Sequence, residues 1–212
     1  MIYLIGGAPR VGKSIIANKV TEAMNATLVS TDDLCSEVTK VLSPEEKKRR
    51  FPLPGFSGTA SENTLTPEER VELQCISASS LVPALDTVIA SALSEHRDLV
   101  IEGVHLLPEY VSRLHTQYGA ENVRVLFLGL SDVESIVEGI VQNTSPSNWM
   151  RNSDKEVIRQ VAGFVAAFSV HIQKKAEAAG FPYQERTADF ESDVRRFSEY
   201  LLTKAEPPFQ VR

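Results

Sequence analysis

The run Gly7-Ala8-Pro9-Arg10-Val11-Gly12-Lys13-Ser14 fits the pattern G-x-x-x-x-G-K-[ST] without a mismatch. It follows a short apolar stretch, Ile2 to Ile5, and runs into a helical pattern from Lys13 to about Met24, with apolar residues at Ile15, Ile16 and Val20. A strand, a glycine loop and a helix in that order form a cradle for phosphate. Glycine lets successive N–H groups turn inward on one anion, and the helix N-terminus adds a partial positive charge of roughly half a unit. Gly7, Ala8, Pro9, Arg10, Val11, Gly12, Lys13, Ser14 and Ile15 are therefore the candidate nucleotide-binding residues. Lys13 is placed to neutralise the β- and γ-phosphates, and the Ser14 hydroxyl to ligate Mg²⁺.

The rest of the chain alternates short apolar runs with longer helical patterns, as a parallel sheet with crossover helices requires. Strands are expected at Ile2 to Ile5, Thr27 to Ser30, Leu99 to Glu102 and Val123 to Leu128, with a weaker fifth near Phe181 to Gln184. Ser43-Pro44-Glu45-Glu46 and Thr66-Pro67-Glu68-Glu69 each place a hydroxyl at the N-cap, proline at N1 and glutamate at N3. The second opens an apolar-periodic stretch from Val71 towards Ala92, with a break expected near Pro83. Further helices are expected to begin after Ser30, at Ser131 or Asp132, at Asp154 (to about Ala179), and at Asp189 or Glu191. The fold class this implies is α/β: a three-layer arrangement of about five parallel strands flanked by helices. Two segments interrupt the rhythm, Arg50 to Thr64 and Asn143 to Ser153, and loops of that length in a compact domain are usually functional or disordered.

At 212 residues and with no repeat or linker, one domain is expected. The net charge of -6 argues against nucleic acid and acidic membranes as partners, so an anionic ligand must be held locally. Cys35 and Cys75 show no metal-ligand spacing and suit a reduced, cytoplasmic chain. Met1 to Ile5 is too short for a signal peptide or a membrane span, and no other stretch reads as long enough.

Two strand ends carry candidate chemistry. Thr27 to Ser30 leads into Thr31, Asp32 and Asp33, at the carboxyl edge where open α/β sheets bind ligands. An aspartate there can accept the proton of an attacking hydroxyl, or Thr31 or Asp32 can simply cap the next helix. Leu99 to Glu102 closes on an acidic residue that can hold Mg²⁺ through water or orient substrate, and His105 either contacts substrate or is structural. Lys47-Lys48-Arg49-Arg50 reads as a solvated helix face paired with Glu45 and Glu46, or as a grip on an anionic acceptor. Phe51 and Phe56 either wall a substrate or pin their loop to the core.

The cradle Gly6 to Ser14, the strand end Ser30 to Leu34 and the turn Ile101 to Leu106 together resemble the P-loop small-molecule kinases. That group includes 2-phosphoglycerate kinase-like proteins, chloramphenicol phosphotransferase, zeta toxins and polynucleotide 5'-kinase, and the turn most resembles the first of these. The resemblance implies ATP (GTP as the lesser alternative), Mg²⁺ and a small-molecule hydroxyl acceptor, with a 2-phosphoglycerate-like compound as one option. It implies Lys13, Asp32 and Arg151 as catalytic residues, with Asp33 as the alternative base. Asp33, Glu102 and His105 then fall to substrate binding, and Ser14 and Glu102 to the metal. It divides the single domain into a core (1–42 and 98–212), a helical substrate-binding region (43–97) and a lid (143–155) carrying Arg151, with Arg159 beyond it. A monomer or homodimer is expected. A regulatory NTPase, a nucleotide-binding module without an acceptor and a toxin-like kinase are the rival readings.

Overall fold

The computed structural model describes residues 1–56, 64–143, 150 and 152–203. The chain runs β1 (Ile2–Gly7), α1 (Lys13–Met24), β2 (Thr27–Ser30), α2 (Thr31–Lys40), α3 (Pro44–Arg50), α4 (Pro67–Ser94) and β3 (Leu99–Glu102). It continues α5 (Pro108–Tyr118), β4 (Val123–Gly129), α6 (Val133–Gln142), α7 (Lys155–Ala178), β5 (Tyr183–Glu185) and α8 (Phe190–Leu202). The five strands are all parallel, in the order β2-β3-β1-β4-β5.

Helices cover both faces of the sheet, and this explains the apolar strands. Ile2, Leu4 and Ile5 of β1, Val100 and Ile101 of β3, and Leu126 and Phe127 of β4 are fully buried, each worth about 1.5–3 kcal/mol. One layer contains α1 packed on α8, and the other contains α7 packed against α4, α5 and α6. From β1 the chain passes through α1 to β2, beyond β3; from β3 it passes through α5 to β4, on the opposite side of β1. The connections therefore diverge between β1 and β3, and the crevice this opens at their carboxyl ends is where ligands bind in such sheets. Ile5 is in register with Glu102 there, which sets the Gly7–Ser14 loop beside the end of β3.

The local signals act as their chemistry dictates. Ser43 and Thr66 each accept from the N–H three residues on, while Glu46 and Glu69 reach back to the cap N–H. Asp132 and Asp189 cap α6 and α8 through the N–H groups of Ser135 and Ser192. Two expectations are corrected. Helix α4 does not break at Pro83 but continues for 28 residues. Pro83 lies on an exposed face, so its ring projects into solvent and the carbonyl it leaves without a helical donor, that of Ser79, can be hydrated. The same helix is, by length and composition alone, long and apolar enough to cross a membrane. Here it lies along α7 and beside α2 and α3.

Candidate active site

The loop after β1 is shaped by close backbone approaches. Gly7 has φ 119°, and a Cβ there would meet the Leu128 carbonyl at 1.9 Å. Ala8 N–H donates to that same carbonyl at 3.0 Å, tying the loop to β4. Gly12 is the N-cap of α1 with φ 92°, and a Cβ would meet the Phe190 ring at 2.5 Å. Lys13 is 6% exposed, and its Nζ donates to the Ala8 carbonyl at 2.6 Å, so the ammonium lies folded into the cradle. Burial pulls it below the ordinary lysine range, while the carboxylates of Glu102 and Asp32 pull it back in part. A polyphosphate beside it would favour the charged form further.

Ser14 Oγ donates to Glu102 Oε1 at 3.2 Å. Burial pushes the Glu102 carboxyl up, opposed by Lys13 and by the Ser14 hydrogen bond. A hydroxyl and a carboxylate at the mouth of a phosphate cradle fit the sparse protein donor set that Mg²⁺ takes alongside phosphate oxygens. Among the described residues no group of three or more His, Cys, Asp or Glu side chains forms a denser metal site.

At the end of β2 the capping role falls to Ser30, whose Oγ accepts from the N–H groups of Asp32 and Asp33. Neither Thr31 nor Asp32 is the cap. Thr31 is buried, and its Oγ1 lies 3.0 Å from His105 Nδ1. The Asp32 side chain is 70% exposed, with Oδ1 3.5 Å from the same His105 nitrogen. The imidazole itself is 7% exposed and lowered in pKa by burial, with Asp32 opposing. His105 thus stands behind Asp32 rather than facing either cavity that Asp32 lines. Asp33 is exposed and lines neither of them.

Those two cavities meet at the loop. One, of about 610 Å³, is lined by Arg10, Gly12, Lys13, Ser14, Ile15 and Asp32 on one side and by Leu130, Ile136, Ile140, Arg186 and Phe190 on the other. The second, of about 460 Å³, is lined by Pro9, Arg10 and Asp32, by Leu53 to Phe56, and by Gln74, Val104, Val161 and Phe164. Arg10 and Asp32 belong to both.

Several of these residues carry no motif. Arg186, just after β5, lies over the Phe190 ring at 5.2 Å and has a buried Nε without a partner. Nothing in the sequence around it marks it. Gln74 stands in the sequence only as one polar residue in the apolar-periodic stretch that starts at Val71. Other expected residues are arranged differently. Arg159 is engaged by both Glu134 oxygens, at 2.8 and 3.4 Å, and ties α7 to α6 instead of reaching the cradle. Arg50 donates to the Ser80 carbonyl at 3.3 Å and docks α3 on α4, while Lys47, Lys48 and Arg49 are exposed. Arg151, and with it most of the 143–155 segment, lies outside the described residues.

A 2-phosphoglycerate kinase from Methanothermobacter thermautotrophicus is 28% identical over 190 residues, 87% of this chain and 60% of that protein. Another 2-phosphoglycerate kinase, from Methanopyrus kandleri, is 27% identical over 136 residues, 64% of this chain and 41% of the relative. The chain resembles the P-loop small-molecule kinases. A mevalonate-3-phosphate 5-kinase from Thermoplasma acidophilum is 24% identical over 53% of this chain and 55% of its own length. The chain therefore spans at most 60% of the length of these curated relatives. No family model matches it.

Proposed function

We propose that the chain transfers the γ-phosphoryl group of ATP, with GTP as the lesser alternative, to a hydroxyl group of a small metabolite. The observation that carries this reading is the shared wall at Arg10 and Asp32 between the cradle cleft and the second cavity. A donor in one and an acceptor in the other would meet at an exposed carboxylate. The acceptor oxygen bonds to the γ-phosphorus as the bond to the β–γ bridging oxygen breaks. ADP leaves, and the hydroxyl proton passes to Asp32. Lys13 and the loop N–H groups stabilise the charge on the transferring group. Ser14 and Glu102 would hold Mg²⁺, which would supply neutralisation of phosphate charge. Arg151 is assigned to close over the phosphates, and His105 to hold Asp32 from behind.

Phosphorylated three-carbon acids belong on the acceptor panel, given the relatives. The test is ADP release from MgATP across a panel of hydroxyl compounds, with the phosphorylated product identified by ³¹P NMR. Acceptor-dependent release with a matching product is the expected result. Hydrolysis at one steady rate whatever the acceptor would overturn the reading in favour of an NTPase.

A further inference from the structure

The buried residues of α4 include Val71, Gln74, Ala78, Leu81 and Leu85, whose spacing of three and four puts all five on one helix face, with the polar Arg70 and Ser77 buried beside them. Four are apolar. The fifth, Gln74, is 4% exposed and its Nε2 has no hydrogen-bond partner among the described residues. An orphaned amide donor in an apolar stripe is costly, and native structures rarely leave one unexplained. Gln74 also lines the second cavity, so its side chain borders the space assigned to the acceptor.

The rest of the lining is largely apolar and pinned in place. The Phe56 ring lies under the Arg70 guanidinium at 3.8 Å, and its centroid is 6.1 Å from that of Phe164. Arg70 is buried and also donates to the Pro54 carbonyl at 3.1 Å, so one side chain pins both loop residues. Leu53, Val104 and Val161 complete the apolar lining. Among the described residues that line the cavity, Arg10 is the one cation. A doubly anionic acceptor needs several donors or cations in such a space; an apolar body with one accepting oxygen needs what is present.

We infer that the acceptor is a hydroxyl compound with an apolar body, seated against Phe56 and Phe164, and a carbonyl or carboxamide oxygen that accepts from the Gln74 amide. This rests on the phosphotransferase reading and names the substrate class for its second cavity. Gln74 is then a specificity residue. Glutamine rather than leucine occupies the stripe because the amide is satisfied only when the acceptor binds.

The experiment compares ADP release by the wild type and by Gln74→Leu with pantothenate, pantetheine and thymidine, against 2-phosphoglycerate and glycerol 3-phosphate. Thermal melting without acceptor and MgATP affinity are measured alongside. Turnover with at least one of the first three is expected, with KM raised about tenfold in Gln74→Leu, as loss of a ligand hydrogen bond implies. Nucleotide affinity should stay unchanged, and Tm should stay level or rise because a buried orphan is removed. Turnover confined to the two phosphorylated compounds, or an unchanged KM together with a lowered Tm, would overturn this inference and leave the phosphotransferase intact. No acceptor-dependent release from any compound would overturn both.

Discussion

The Nδ1 of buried His105 lies 3.5 Å from Oδ1 of exposed Asp32, so a desolvated imidazole backs the carboxylate that borders both cavities. Thr31 Oγ1, 3.0 Å from the same nitrogen, also holds the ring. The buried imidazole contributes to the acid sensitivity of the fold. Burial lowers the His105 pKa below its ordinary 6.5, with Asp32 partly opposing. Between that lowered value and about 6.5 the unfolded chain therefore binds the proton and the folded chain does not. Stability from this group is complete above about pH 6.5 and is lost as the pH falls through the window beneath it. Urea midpoints measured from pH 8 to pH 5 should fall less steeply in His105→Asn than in the wild type. Equal slopes would mean the imidazole titrates as freely folded as unfolded.

Lys13 and Asp32 should separate binding from chemistry. Lys13→Ala removes the ammonium from the cradle and should weaken MgATP binding about 10- to 100-fold by calorimetry, the worth of a charged hydrogen bond. Asp32→Asn should leave that affinity near wild type while slowing transfer by about 10²- to 10⁴-fold, the usual contribution of a general base. Undiminished turnover in Asp32→Asn would remove the carboxylate from the reaction.

Gly103 follows Glu102 with φ 144°, and a Cβ there would fall 1.8 Å from Thr31 Oγ1. Gly103→Ala should cost about 2–3 kcal/mol from backbone strain and displaced packing together. Since Thr31 must move, the variant should also disturb the His105–Asp32 pair. Denaturant titration reads the first effect, and the histidine ring resonances by NMR read the second.

Pro83→Ala restores an N–H inside α4, where the chain is already helical on both sides. The variant should gain about 1 kcal/mol, the regained hydrogen bond being offset in part by a more flexible unfolded chain. A lowered melting temperature would show that the helix at this position depends on the proline.

The sequence by itself determined the parts whose physics is local. The cradle from Gly7 to Ser14 is contiguous, so its glycines, lysine and hydroxyl announce one another; the capping boxes at Ser43 and Thr66 are complete within four residues. Strands buried on both faces are legible as short apolar runs, and the ends of β2 and β3 come with their acidic residues attached. Only the tertiary structure decided what those ends face. Asp32 acquires its position between two cavities because α4, α7 and the loop from Leu53 to Phe56 converge on it from distant parts of the chain. His105 is set behind it because β2 and β3 are neighbours. Pro83 reads as a helix breaker until its exposure is known, and Gln74 reads as one polar residue in a helix until its burial and its missing partner are seen. Burial and convergence are properties of packed elements, and periodicity along one segment does not encode which distant segment will lie against it.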